Sequence, residues 1–140
     1  SIFQFWKSGG NNHTHKLDKI RFLFSFFENI DFVLIGDSGQ HDPELYLQMA
    51  REYPHRVKAV YIRCIGRAHE NKQTTEIAGE MDRLGIPMLL IENTEQAARH
   101  ALMNGYIDAS SMPDIARQLE EDHNIRFTDL FHSQDESVLN

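Results

Sequence analysis

The chain has 140 residues, enough for one domain with a substantial core and too few for two of ordinary size. Its hydrophobic fraction of 41% and charged fraction of 25% exclude a disordered or fibrous class. A net charge of −7 excludes the basic face of a nucleic-acid binder and offers no broad patch to an anionic membrane, while the lone cysteine, Cys64, excludes an intrachain disulfide. No stretch reaches transmembrane length and no signal peptide opens the chain, so the expected compartment is cytoplasmic.

In chain order, Ile2-Phe3-Gln4-Phe5-Trp6 reads as a short strand, and Lys7 to Asn12 as a polar, glycine-bearing loop. Asn12-His13-Thr14 matches a glycosylation triplet that nothing else in the sequence supports. Thr14 is placed to cap a helix running to about Asn29, with Leu17, Ile20, Phe24 and Phe27 on its buried face. Phe22, Leu23 and Phe26 widen that face, which predicts packing on both a sheet and a neighbour. Lys16 falls in the first turn, where a cation opposes the helix dipole; it reads either as a residue with a use there or as a plain exposed lysine. Phe32-Val33-Leu34-Ile35 is a consecutive apolar run, as in a parallel strand buried on both faces.

Gly36-Asp37-Ser38-Gly39-Gln40-His41 then forms a small polar loop, and Asp42 is placed to cap the next helix with Pro43 at its first position. That helix carries Leu45, Met49 and Tyr53 inward, and Pro54 stops it. Val57 to Ile65 reads as a second buried strand with Arg63 near its carboxyl end. A helix over Asn71–Leu84 stops at Gly85, Met88 to Ile91 is a third strand, and Asn93 or Thr94 caps a helix through Met103. Ser111-Met112-Pro113-Asp114 has capping-box spacing and opens a last helix to about Asp122. Phe127 to Asn140 reads as a loosely held tail, leaving residues 1–126 as the domain.

Strand and helix alternate, which implies parallel strands, right-handed crossovers and a three-layer α/β fold. Asp37 lies just past the carboxyl end of a buried strand, where open α/β sheets place their ligands. Asp37 and Asp42 flank one tight loop and can converge on a hard cation such as Mg²⁺; read blandly, they are a turn residue and a cap. Arg63 shares the rim if the strands are parallel, so Lys16, Asp37, Asp42 and Arg63 form a candidate constellation for phosphoryl chemistry. A convincing nucleophile is missing. Ser38 has no histidine placed to serve it, and no P-loop, nucleophile elbow or zinc-ligand set occurs. His13 and His15 read as solvated, Glu70, Glu76 and Glu80 as a wet helix face, and Cys64 as a small core residue.

His15-Lys16 with its following helix, then Phe32 through Tyr46, Arg56-Val57 and Tyr61-Ile62-Arg63, together resemble the catalytic domain of the actin-patch phosphatidate phosphatase family. That family lies in the haloacid dehalogenase superfamily, and the resemblance covers about the first half of the chain. It implies a Rossmann-like haloacid dehalogenase fold, Mg²⁺ as cofactor, and hydrolysis of a phosphorylated small molecule or phospholipid, phosphatidate to diacylglycerol being the lipid case. Asp37 matches the superfamily's late metal-binding aspartate and Asp42 the second acid of its Gly-Asp-x-x-x-x-Asp form. Lys16 matches the lysine that steadies nucleophile and phosphate; Arg63, from its place on the rim, is read as a second phosphate-binding cation.

The superfamily's Asp-x-Asp-x-Thr motif and the serine or threonine of its next strand do not occur in these 140 residues, which open on Ser1 rather than Met. The resemblance therefore implies the carboxyl-terminal half of a phosphatase domain, truncated on its N-terminal side and inactive alone, with the missing half as its partner. It also implies a gap in the sheet beside the strand ending at Asp37. The alternative is a non-catalytic α/β binding module derived from the same fold.

Overall fold

The computed structural model describes residues 2–7, 13–64, 72–108, 110 and 117. Within them, strands β1 (Ile2–Lys7), β2 (Ile30–Asp37), β3 (Val57–Arg63) and β4 (Met88–Ile91) alternate with helices α1 (His13–Phe26), α2 (Asp42–Glu52), α3 (Lys72–Arg83) and α4 (Thr94–Met103). The strands are all parallel, in the order β1-β2-β3-β4. This is the Rossmann-like α/β architecture that the alternation of elements predicts.

Side chains alternate across a strand, so a consecutive apolar run supplies two cores at once. Phe32 and Leu34 of β2, with Val60 and Ile62 of β3, pack under Ile20 and Phe24 of α1, Leu45 and Met49 of α2, and Ile77 and Met81 of α3. On the opposite face, Val33, Ile35, Ala59 and Tyr61 pack against Ala97, Ala98 and Ala101 of α4. Helices therefore cover both faces, giving three layers.

β1 pairs with β2 from Ile2↔Ile30 to Lys7↔Ile35. The strand ending at Asp37 is thus flanked by β1 and β3, and the gap expected beside it is closed by the chain's own first strand. Backbone groups of β2 that would otherwise be unpaired find their partners there.

Several local expectations change. α1 starts at His13, so Thr14 lies inside it rather than capping it, and it ends at Phe26. Its carboxyl end is closed by Arg56, whose guanidinium donates to the carbonyls of Phe24 (2.8 Å), Phe27 and Ile30 (2.9 Å). That side chain satisfies orphan helix-end carbonyls and turns the chain into β2. Ile20 and Phe24 are buried as expected, but Phe22 and Phe26 are 65% and 67% exposed and Phe27 is also exposed. Among the described residues no element lies over that outer face, and Phe22 and Phe26 stack on each other instead, 5.8 Å between centroids.

His41, with φ of 59°, leads into α2; Asp42 is the first helical residue, and no side chain caps this end. Gly85 ends α3 with φ of 78° while Ile86 N–H reaches back to the Met81 carbonyl at 3.0 Å. Asn93 caps α4, its side-chain oxygen accepting from Gln96 N–H at 2.9 Å. The loop over 8–12, Glu70, the helix expected from Ser111 apart from Arg117, and the tail from Phe127 lie outside the described residues.

Candidate functional site

Asp37 and Arg63 are the last residues of adjacent parallel strands and stand directly opposite in register. The parallel arrangement that the alternating elements predict therefore brings them to one rim. Arg63 Nε donates to Asp37 Oδ1 at 2.8 Å and Nη2 to Oδ2 at 2.9 Å. A planar guanidinium matches a carboxylate in this two-pronged way, and such charge-assisted pairs are stronger than neutral hydrogen bonds.

Five residues on, Asp42 is completely buried in the first turn of α2. Its Oδ2 accepts from the backbone N–H of Asp37 at 2.7 Å, and its Oδ1 accepts from Lys16 Nζ at 3.0 Å. The carboxylate faces back across the loop instead of capping its own helix, which is why the expected cap is missing. It ties the end of β2 to the start of α2. An acidic group in a helix's first turn also suits the helix dipole.

Lys16 is only 3% exposed. The alternative of a plain exposed lysine is corrected by its ion pair with Asp42. Its position explains this: Lys16, Ile20 and Phe24 recur every four residues, which puts the lysine on the buried stripe of α1. Its stem packs with that stripe while the ammonium reaches the rim. The structure thus brings together Lys16, Asp37, Asp42 and Arg63.

Two supporting residues escaped the reading from sequence. A Cβ added to Gly36 would lie 2.5 Å from Asp42 Cβ and 2.8 Å from both Asp42 Oδ2 and Tyr46 Cε2. Glycine is therefore what lets the first turn of α2 press onto β2. A glycine inside a buried strand was the available signal, because such a residue marks close approach of another backbone. Tyr46 is fully buried, and its hydroxyl donates to the carbonyl of Ile35. That bond locks α2 to the strand one residue before the glycine.

The other candidates take different places in the fold. His15 is exposed on α1. Cys64 is half-buried just after β3, and burial, then the nearby charge of Glu92, push its thiol above the usual range, opposite to what a reactive thiolate needs. Glu76 is exposed on α3, and Glu80 there pairs with Arg51 of α2. On the α4 face, the Tyr61 hydroxyl shares a hydrogen bond with His100 Nδ1 at 2.8 Å, and burial raises its phenol far above the ordinary value.

Among the described residues no group of three or more His, Cys, Asp and Glu gathers as a metal cage. Mg²⁺ does not require one. It is commonly held by one or two carboxylates, waters and a substrate phosphate. The donor set here fits that pattern best at Asp37, whose carboxylate stands at the rim on a partly exposed arginine, whereas Asp42 accepts its hydrogen bonds wholly inside the protein.

Residues 2–64 match the family model described as phosphatidate phosphatase APP1, catalytic domain. The chain is 29% identical over 112 residues to phosphatidate phosphatase APP1 of Saccharomyces cerevisiae, an alignment that covers 76% of this chain and 19% of that protein. The chain therefore spans about a fifth of the length of the curated relative it matches. No solved structure matches the chain. The two matches bear out the resemblance to the actin-patch phosphatidate phosphatase family carried by Lys16, the Gly36–Asp42 loop and Arg63, all of which fall within the matched segment.

Proposed function

We propose that this chain supplies the cation-binding and phosphate-steadying half of a site that hydrolyses phosphomonoesters, with phosphatidate as the first substrate to test. The convergence of Lys16, Asp37, Asp42 and Arg63 on one rim, inside the matched segment, supports this reading. Asp37 is assigned as the carboxylate that would hold Mg²⁺, backed by Asp42, which fixes the Asp37 backbone. When bound, Mg²⁺ would neutralise charge on the phosphoryl oxygens. Arg63 is assigned to phosphate oxygens through its planar fork. Lys16 adds a second, pre-oriented positive charge whose position costs no rearrangement during reaction.

The nucleophile is assigned to a segment outside these 140 residues, as an aspartate of the Asp-x-Asp-x-Thr type. Mg²⁺ and Lys16 can place a phosphate, but by themselves they form no covalent intermediate. The 140-residue chain is expected to show no Mg²⁺-dependent hydrolysis of a generic phosphomonoester or of phosphatidate. A longer protein that includes such a segment is expected to be active. In it, Asp37→Asn and Lys16→Ala should each lower the rate by ~10² or more, the scale on which one pre-organised electrostatic group acts. Turnover by the short chain that vanishes in its own Asp37→Asn variant would overturn the proposal. The non-catalytic binding module draws support from the internal pairing of both carboxylates, and an inactive longer protein would favour it.

A further inference from the structure

Asp37 meets Arg63 with both of its carboxylate oxygens, at 2.8 and 2.9 Å. A fork of this kind takes one in-plane lone pair on each of the two oxygens, and any cation on the remaining ones lies close to the guanidinium. Mg²⁺ needs carboxylate lone pairs at about 2.0–2.1 Å in near-octahedral geometry. A dication at Asp37 must therefore displace Arg63 or sit beside a guanidinium in a mostly buried position, where like charges are poorly screened. The register Asp37↔Arg63 keeps the two backbones opposite, so the conflict is built into the sheet. The arginine side chain is 25% exposed, against 3% for Lys16 in the neighbouring pair, so it has room to leave. Its fork spends two of five N–H donors on Asp37.

We infer that Arg63 is an internal counter-ion that competes with a divalent cation for Asp37, and that an anionic phosphate group relieves the competition by drawing the guanidinium onto itself. Arg63 then couples cation and anion occupancy. By linkage, each ligand strengthens the other's binding by the same factor. The inference rests on the assignment of Asp37 as the cation-binding carboxylate.

The test is a titration of the 140-residue chain with Mg²⁺, following the Gly36–Asp42 amides by NMR at matched free Mg²⁺, with and without inorganic phosphate. Arg63→Gln should bind Mg²⁺ at least ~10-fold tighter than the wild type. Phosphate should strengthen Mg²⁺ binding by about 5-fold or more in the wild type, within the usual range of coupling between sites, and by little in Arg63→Gln. Arg63→Lys, which keeps a cation and loses the fork, should bind Mg²⁺ with intermediate affinity. Tighter binding is the outcome that a merely structural arginine would not produce. Equal or weaker affinity in Arg63→Gln, with binding still abolished by Asp37→Asn, overturns the inference and leaves the cation assignment standing. Shifts that persist in Asp37→Asn overturn both. If Arg63→Gln loses its α/β circular dichroism, Arg63→Lys decides alone: tighter than wild type supports the competition, equal or weaker removes it.

Discussion

At one end of the sheet, two ion pairs share the loop between Asp37 and Asp42 and differ in almost everything else. Lys16 and Asp42 are sealed, with side-chain exposures of 3% and 0%, and Asp42 spends its second oxygen on the Asp37 backbone. Arg63 and Asp37 lie at the mouth, 25% and 12% exposed, and meet through a two-pronged fork. The difference follows from where each partner is rooted. Lys16 comes up the buried stripe of α1 and Asp42 out of the first turn of α2, so closing helix on sheet closes the pair. Asp37 and Arg63 are strand ends, beyond which the sheet gives no cover. Burial makes the first pair a piece of framework, while the second is the one we propose to be exchangeable. A site that must admit a charged ligand benefits from both, a fixed charge behind and a movable one in front.

The largest effect expected from this contrast is at Lys16. Lys16→Met keeps the apolar stem and leaves the Asp42 carboxylate buried without its cation, a situation that costs about 3–5 kcal/mol. Lys16→Met combined with Asp42→Asn should recover a large part of that loss, since removing both charges of a buried pair is often close to neutral. Urea denaturation of the four proteins in a double-mutant cycle measures the coupling. Additive losses would mean that the two residues do not act as a pair.

Gly36→Ala attacks the framework from the backbone side. The new Cβ would lie 2.5 Å from Asp42 Cβ, so α2 must back away from β2, and overpacking of this kind costs about 1–3 kcal/mol or more. The accompanying loss should appear at the Asp37 amide, whose hydrogen exchange depends on its bond to Asp42. An alanine variant as stable and as well protected as the wild type would show that the close approach is not needed. Third in size is Arg63→Gln. A partly exposed pair is discounted for solvent, and its removal should change stability by no more than about 1 kcal/mol. A loss as large as that at Lys16 would erase the distinction between framework and exchangeable pair.

Much of this was legible from sequence because it depends on local pattern. The run Phe32–Ile35 is buried on both faces as its composition demands, and Asn93 and Gly85 punctuate their helices as their backbone chemistry requires. Asp37 and Arg63 could be placed on one rim as soon as the strands were taken to be parallel. The remainder depends on pairing over distance. Lys16 is buried by a partner 26 residues away, and Asp42 leaves its helix uncapped because its carboxylate is claimed from outside that helix. Phe22 and Phe26 illustrate the opposite limit. Helical spacing marks them as apolar neighbours of a core, yet burial requires an element to lie over them, and among the described residues none does. The pairing of β1 with β2 is likewise a choice among strand partners that periodicity alone does not make.

The smallest effect belongs to a third pair, which extends the series to the surface. Arg21 of α1 donates to both oxygens of Glu52 at the end of α2, at 2.6 and 3.1 Å, with side chains 39% and 33% exposed. The hydrogen bonds from Arg21 hold the Glu52 carboxyl below its usual range, against a smaller opposing effect of burial. A carboxyl whose pKa is depressed in the folded state adds stability above its unfolded value and loses it as pH falls through the folded value. Wild type should therefore melt slightly above Glu52→Gln near pH ~7, and the gap should shrink as pH falls through the folded value and vanish once both states carry the proton. The comparison of the two melting temperatures across pH isolates this pair, because every other carboxylate titrates in both proteins. Added salt should shrink the gap at neutral pH, as screening does for exposed charges. A gap that survives at low pH would mean that glutamate helps through packing of its stem, and the exposed end of the series would then owe nothing to charge.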